Sequence, residues 1–123
     1  MERILIVDDE AFIRENLERI LEEDGYHPVS IDNGEDAVRE VSESDVDLVL
    51  LDLKMKRVGG MEALEAIQTA KPALPVIIIT AFSSVGNAVE AMKKGAFDYV
   101  TKPVDAAELA LTVERALSFE HLQ

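Results

Sequence analysis

The stretch "VDLVLLDLKMK" (residues 46–56) places one acidic residue at the end of an apolar run. Residues 48–51 are all apolar, and they are followed by Asp52 and then Leu53. A short, continuous run of this kind is typical of a parallel strand that is covered on both faces. An unpaired charge in such a place costs several kcal/mol. The stretch therefore predicts a central strand, and it requires something that stabilises the Asp52 carboxylate.

Similar apolar runs recur along the chain, separated by amphipathic segments. The predicted strands are residues 3–7, 28–31, 47–51, 76–80 and 98–100. Strands that alternate with helices predict a parallel sheet with helices on both of its faces. We find no linker, low-complexity tract or repeat between them.

Each intervening segment has apolar residues at helical spacing. The residues predicted to face the core are, helix by helix, Ile13, Leu17, Ile20 and Leu21; Ala37, Val38 and Val41; Met61, Leu64 and Ile67; Val85, Val89 and Met92; and Leu109, Val113, Ala116 and Leu117. Gly25 and Gly95 are expected to end the first and fourth helices. Ser83 and Ser84 are expected to cap the fourth helix, and the last helix is expected to begin near Asp105.

The composition excludes several classes of function. The 123 residues are enough for one domain, and the net charge of −13 argues against binding of nucleic acid or of an anionic membrane by this chain. There is no cysteine, so a disulfide framework or a thiolate metal site is excluded. The apolar runs are too short to span a membrane, and "MERILIVDD" is interpreted as a strand and not a signal peptide. We expect a cytoplasmic protein.

Chemically active side chains follow the predicted strands. Asp8 and Asp9 follow the first strand, Asp52 the third, Thr80 ends the fourth and Lys102 follows the fifth. Functional sites of open α/β sheets lie beyond the carboxyl ends of the strands. Two carboxylates about 4 Å apart repel each other by roughly 4 kcal/mol at an effective dielectric constant near 20. Three acids therefore need a cation, and Lys102 or, better, Mg²⁺ supplies one.

Each of these residues also has an ordinary structural interpretation. Asp9 and Asp52 are suitable capping residues, Thr80 a common strand-end residue, and Lys102 a common surface residue. Their joint placement at four strand ends is what indicates a site. A carboxylate beside a divalent ion is a competent nucleophile toward phosphorus, and it forms an acyl phosphate. An amine and a hydroxyl then stabilise the phosphoryl oxygens.

Four motifs at these strand ends resemble the receiver domains of two-component response regulators. They are "VDDE" (7–10), "LLDLKM" (50–55), "ITA" (79–81) and "YVTKP" (99–103). The resemblance covers essentially the whole chain and implies a single receiver domain over residues 1–123. It implies a flavodoxin-like (βα)5 fold with a doubly wound five-stranded parallel sheet of strand order 2-1-3-4-5. It also implies a signalling switch that is not an enzyme, although it catalyses its own aspartyl phosphorylation and dephosphorylation.

The resemblance implies a role for each site residue. Asp52 is the phosphoacceptor for a sensor histidine kinase and, with Asp9, a ligand of Mg²⁺. Asp8 binds the ion through water, and the backbone carbonyl of Lys54 completes the protein ligands.

Three further residues follow from the same resemblance. Lys102 contacts the phosphoryl group, and the peptide bond between Lys102 and Pro103 is cis. Thr80 and Tyr99 form a switch that changes the face made by helix 4, strand 5 and helix 5. For Tyr99 the alternative interpretation is a half-buried strand aromatic.

The stretch "AVEAMKKGAFDYVTKP" (88–103) and the long final helix more narrowly resemble receivers of NtrC-type, sigma-54-dependent AAA+ activators. The chain contains neither a GxxxxGK[ST] loop nor a helix-turn-helix signal, so AAA+ and DNA-binding domains are expected elsewhere in a full-length protein. The chain is then a stand-alone receiver or an excised domain. The final helix carries Leu111, Phe119 and Leu122 outside its core face, which favours an excised domain. These residues are either scattered surface residues, or a homodimer face that phosphorylation modulates, or the start of a helical linker to the next domain.

The chain departs from the family pattern near Asp52. Lys56 stands where proline is usual, and Gly59 stands before Gly60 where an acidic residue is common. Both changes are expected to loosen this loop. Lys54, Lys56 and Arg57 form a basic cluster that is either a solvated loop or a surface that steers a phosphodonor or contacts the kinase.

Two other classes of function compete with the receiver. A Mg²⁺-dependent phosphatase of the haloacid dehalogenase type also uses an Asp nucleophile and a strand-end Lys, but it requires an acid at position 54, which is Lys here. It also usually has a cap insertion, for which 123 residues leave no room. A flavodoxin-like binding module would need a phosphate-binding loop after the first strand, and a receiver that no longer takes phosphate would not need all five site residues.

Overall fold

The computed structural model describes residues 1–55, 59–81 and 85–122. The elements in chain order are β1 Arg3–Val7, α1 Ala11–Glu23, β2 His27–Ile31, α2 Gly34–Glu43, β3 Leu48–Asp52, α3 Gly60–Ala70, β4 Val76–Ala81, α4 Val85–Lys93, β5 Asp98–Lys102 and α5 Ala106–Leu122. The expectations about Lys56, Arg57 and the two serines before α4 lie outside the described residues, as do those about the side chains of Val85, Phe119 and Leu122.

The five strands form one parallel sheet in the order β2-β1-β3-β4-β5. This confirms the predicted flavodoxin-like arrangement, with β3 at its centre. β1 has the predicted bounds, whereas β3, β4 and β5 end one or two residues later than predicted, because pairing continues beyond the apolar runs. Asp52 pairs with Ile79 and Lys102 pairs with Ala81, so both polar residues are the last members of their strands.

The sheet is covered on both faces, as the continuous apolar runs predict. On β3, Val49 and Leu51 belong to the core between the sheet and helices α2, α3 and α4. Leu48 and Leu50 alternate with them and belong to the core under α1 and α5. All four side chains have no exposed surface. The strand that ends in Asp52 is therefore held rigidly from both sides.

The helices bury most of the residues that their spacing predicts, with one error. Val89 was expected in the core, but 45% of its surface is exposed. Helix α4 instead buries Ala88 and Ala91, because these small residues occupy the stripe that faces the α2–α3–α4 core. Val38 and Met92 are only partly buried at the margin of the same core.

The helix ends follow the predicted signals. Gly25 and Gly95 have φ angles of +87° and +110°, which residues with a side chain rarely adopt, and they lie just after α1 and α4. Asp105 caps α5: its Oδ1 accepts the backbone N–H of Ala107 at 2.9 Å. Among the described helices, none is both long and apolar enough to cross a membrane.

The start of α3 packs directly on the backbone that follows β3. The N–H of Gly60 donates to the carbonyl oxygen of Leu53 at 3.1 Å. A Cβ on Gly60 would lie 2.2 Å from the Leu53 Cα and 2.5 Å from the Asp52 carbonyl oxygen, whereas a Cβ on Gly59 would meet nothing within 4 Å.

This contrast predicts different effects for two neighbouring glycines. Gly60→Ala is expected to lower the free energy of unfolding by about 2 kcal/mol or more, because the clash is with backbone that cannot move aside. Gly59→Ala is the matched control, and its effect is expected to stay below about 1 kcal/mol. Alanine caps the helix less well, which destabilises the fold, but it also lowers the conformational entropy of the unfolded chain, which stabilises the fold. Urea unfolding followed by circular dichroism measures both. Equal effects of the two substitutions would contradict the tight packing of Gly60.

Candidate functional site

Three polar side chains meet on one face of the sheet edge. Asp8 follows β1, Asp52 ends β3 and Lys102 ends β5. The side chains two positions earlier all belong to the core under α1 and α5: Ile6, Leu50 and Val100. Because strand side chains alternate between faces, Asp8, Asp52 and Lys102 continue the same face into the space beyond the sheet. The structure thus brings together three of the residues that the sequence predicted.

The Lys102 ammonium is shared among carboxylates. Its Nζ lies 3.1 Å from Asp8 Oδ2, 3.4 Å from Asp52 Oδ2 and 3.9 Å from Glu10 Oε1. The Asp8 and Asp52 side chains are only 1% and 5% exposed, whereas that of Glu10 is 65% exposed. One ammonium therefore compensates two buried carboxylates, and negative charge remains in excess.

The backbone around Asp8 is fixed by three hydrogen bonds. Asp8 Oδ1 accepts the Glu10 N–H at 2.9 Å, and the Asp8 carbonyl oxygen accepts the Arg14 guanidinium at 2.8 Å. The Asp8 N–H donates to the Ile31 carbonyl at 3.2 Å. Oδ2 is buried and has no hydrogen-bond partner within the described residues, but it forms an ion pair with the Lys102 ammonium at 3.1 Å.

Carboxylate oxygens of Asp8, Asp9 and Glu10 lie within 4.8 Å of one another and could hold a metal ion. This set differs from the predicted ligands, because it includes Glu10 and leaves out Asp52, which meets Asp8 through Lys102. A set of oxygen donors in excess of the one nearby ammonium fits a hard divalent cation such as Mg²⁺. The role of the Lys54 backbone carbonyl as a metal ligand stays a prediction.

Burial raises the pKa of the Asp52 carboxyl above its ordinary value. The hydrogen bond from the Lys54 N–H to Asp52 Oδ1, 3.0 Å long, acts in the opposite direction. The charge of Asp8 raises the Asp52 pKa further, and that of Lys102 lowers it. For Lys102, burial lowers the pKa, but the two carboxylates outweigh burial and the pKa is raised. The Lys102 ammonium thus offsets only part of the cost of ionising Asp52 in its buried position.

The two predicted switch residues belong to the other face of the sheet. Thr80 is 2% exposed and alternates on β4 with Ile79, so it shares the face of Ile78 and the α2–α3–α4 core. Tyr99 is half-buried against the same core. Tyr99 also lines a surface groove of about 440 Å³ together with Arg115 of α5. The peptide bond between Lys102 and Pro103 is cis, which confirms that prediction.

Two residues near the site were missed at the level of sequence. Glu10 is part of the quoted motif "VDDE", but it lies one residue beyond the two acids that the strand-end pattern identifies. Arg14 follows Glu10 by four residues on α1, a spacing that resembles any exposed helix pair. Only the folded loop shows that Arg14 reaches back to the Asp8 carbonyl.

Comparisons with known proteins agree with this geometry. Residues 4–114 match the family model described as the response regulator receiver domain. The transcriptional regulatory protein ZraR of Klebsiella oxytoca is 44% identical over 119 residues, which are 97% of this chain and 27% of that protein. The regulatory protein AtoC of Escherichia coli (strain K12) is 40% identical over 121 residues, or 98% of this chain and 26% of that protein. The chain therefore spans about a quarter of the length of these curated relatives.

Solved structures give the same result. A response regulator receiver domain protein from Clostridium thermocellum superposes with a TM-score of 0.94 at 35% identity, covering 99% of this chain and 98% of that chain. NtrX from Brucella abortus superposes with a TM-score of 0.93 at 34% identity, covering 98% of this chain and 28% of that chain.

The raised pKa of Asp52 predicts a pH-dependent effect of Asp52→Asn. A raised pKa in the folded state means that Asp52 favours folding most when it is protonated, and this contribution is lost as the pH rises through the folded-state value. Without divalent cations, Asp52→Asn is expected to increase the free energy of unfolding at pH 7 by about 1 kcal/mol. The increase is expected to disappear as the pH falls below about 4, the ordinary Asp value.

Urea unfolding in EDTA at several pH values measures this difference. Asp45→Asn is the matched control, since it removes the same charge from an exposed position. An Asp52→Asn protein that is no more stable than Asp45→Asn at pH 7 would show that the ionised Asp52 carboxylate does not destabilise the fold.

Proposed function

Because the chain belongs to the response regulator receiver domain family, we propose that it is a phosphorylation-dependent signalling switch. In this proposal Asp52 accepts a phosphoryl group from the phosphohistidine of a sensor histidine kinase. The observation that supports it most is the setting of the Asp52 carboxylate. It is buried at the end of a rigid central strand, beside Asp8 and 3.4 Å from the Lys102 ammonium.

The two oxygens of Asp52 have different surroundings. Oδ1 accepts the Lys54 N–H, which fixes the orientation of the carboxylate, and Oδ2 faces Lys102. In the transfer, a carboxylate oxygen attacks phosphorus and the bond from phosphorus to the histidine nitrogen breaks, with its electron pair leaving on that nitrogen. Lys102, now 3.4 Å from Oδ2, would pair with an oxygen of the bound phosphoryl group, and Thr80 would donate a hydrogen bond to another.

Asp8, Asp9, Asp52 and the Lys54 carbonyl would hold Mg²⁺ in this proposal. The ion supplies neutralising charge for the phosphoryl oxygens when it is bound. Support comes from the oxygen donors that cluster at Asp8 and Asp9 and from the buried Oδ2 of Asp8, which accepts no hydrogen bond from the described residues. Catalysis by the chain of its own phosphorylation and dephosphorylation belongs to the same proposal.

The signal would leave the site through Thr80 and Tyr99. Movement of Thr80 toward the phosphoryl group would let the Tyr99 ring turn inward and shift a two-state equilibrium at the surface of α4, β5 and α5. The position of both residues on one sheet face supports this path, as does the contact of Tyr99 with the groove that Arg115 lines.

Further partners follow from the relatives. The curated relatives are about four times as long and are named as regulatory proteins, which supports further domains in a full-length protein. In this proposal these are the AAA+ and DNA-binding domains of a sigma-54-dependent activator. Leu111 on α5 is 55% exposed, in agreement with a homodimer face or a helical linker. Sedimentation velocity with and without acetyl phosphate measures whether phosphorylation changes the fraction of dimer. The cytoplasmic location stays a prediction.

The phosphatase alternative gains no support from the comparisons, which match the receiver family over nearly the whole chain. At position 54 the phosphatase would need a carboxylate as general acid. This chain has an exposed lysine there, whose backbone N–H binds Asp52.

Phosphorylation is tested by intact-mass measurement after incubation with acetyl phosphate and Mg²⁺. The wild-type chain is expected to gain one phosphoryl group, Asp52→Asn is expected to gain none, and Asp45→Asn is expected to behave as the wild type. An unmodified wild-type mass, under conditions that modify an established receiver, would sink the proposal. Turnover of many phosphate esters per chain would favour the phosphatase.

A further inference from the structure

Glu10 has no role in the function proposed above, yet it lies within the acidic cluster. One of its carboxylate oxygens is within 4.8 Å of oxygens from Asp8 and Asp9, and Oε1 is 3.9 Å from Lys102 Nζ. Its own N–H donates to Asp8 Oδ1, which ties the position of Glu10 to that of Asp8. The Glu10 side chain is 65% exposed, so it is free to reorient without disturbing the core.

A second observation shows where a cation would bind. Asp8 is 1% exposed, and its Oδ2 has no hydrogen-bond partner among the described residues. Oδ1 is already occupied by the Glu10 N–H, so Oδ2 is the oxygen of Asp8 that remains for a cation. A buried carboxylate oxygen whose one compensating ammonium is shared with a second buried carboxylate is costly, and a hard cation or its bound water relieves that cost.

Lys102 competes for the same oxygen. Its ammonium is 3.1 Å from Asp8 Oδ2, and a divalent cation cannot share that position with another positive charge. When a cation binds, Lys102 must move away from Asp8 and keep a carboxylate partner elsewhere. Asp52 and Glu10 are the acceptors already within 4 Å of it.

We propose that Glu10 is a further residue of the cation site, and that it raises the affinity for Mg²⁺ in two ways. Its charge adds to the attraction of Asp8 and Asp9 for the cation, and its carboxylate accepts the Lys102 ammonium that the cation displaces from Asp8. Both effects strengthen the binding of Mg²⁺. This inference rests on the proposed function, because it concerns the Mg²⁺ site of the phosphoacceptor.

The experiment is titration calorimetry of the 123-residue chain with MgCl₂. Glu10→Gln keeps the shape of the side chain and removes its charge, and it is expected to weaken Mg²⁺ binding by about threefold to tenfold, as befits a partly exposed charge beside a divalent ion. Glu10→Asp restores the charge on a shorter side chain and is expected to recover part of the affinity. The rise in the urea midpoint caused by Mg²⁺ provides a second readout.

Glu23→Gln is the matched control. Glu23 is exposed in the last turn of α1, at the far end of the helix from Glu10, and its loss removes the same charge from the chain. This variant is expected to bind Mg²⁺ within about twofold of the wild type, because solvent and salt screen a distant charge. Unfolding in EDTA is expected to be the same for Glu10→Gln and the wild type within about 0.5 kcal/mol, a shift of about 2.3-fold in the folding equilibrium.

The outcomes separate this inference from the proposal on which it rests. Unchanged or tighter Mg²⁺ binding by Glu10→Gln, with a wild type that binds Mg²⁺, overturns the role of Glu10 and leaves the receiver function standing. An equal loss in Glu23→Gln also overturns it, since the effect would then be one of net charge. Failure of the wild-type chain to bind Mg²⁺ at all overturns the proposed cation site as well.

Discussion

The repulsion between two buried carboxylates is the constraint on which the site depends. Val7 pairs with Leu51, so the register of β1 and β3 places the next residues, Asp8 and Asp52, side by side at adjacent strand ends. Both carboxylates are buried, and the strands that carry them are fixed by packing on both faces of the sheet, so the two side chains cannot move apart into solvent. The Lys102 ammonium offsets the repulsion only in part, which leaves the site receptive to a cation and to the chemistry that a cation supports.

The fold was predictable because its strongest determinant is local in sequence. The continuous apolar run of β3 requires burial on both faces, and alternation with helices then requires a parallel sheet. The errors arise where tertiary packing decides the outcome. The ends of β3 and β5 depend on pairing with β4, and the exposure of Val89 depends on which stripe of α4 meets the core. The neighbouring alanines fill that stripe, and a pattern of large apolar residues does not reveal them.

The site was predictable for a related reason, and only in part. Parallel strands end at one edge of the sheet, so a list of strand-end residues names Asp8, Asp52 and Lys102 without any knowledge of distances. The sequence does not show how many acceptors one ammonium serves. It also does not show that Arg14 holds the Asp8 carbonyl or that Glu10 completes the acidic cluster. Both residues act across a loop whose path is set by hydrogen bonds to its own backbone.

The expected loosening of the loop after Asp52 concerns Lys56 and the added Gly59, and it stays a prediction. Gly60 is the tightly packed glycine of this loop. It packs on the Asp52 carbonyl, and its N–H donates to the Leu53 carbonyl. The backbone of the proposed phosphoacceptor is therefore held by β4 on one side and by the first residue of α3 on the other.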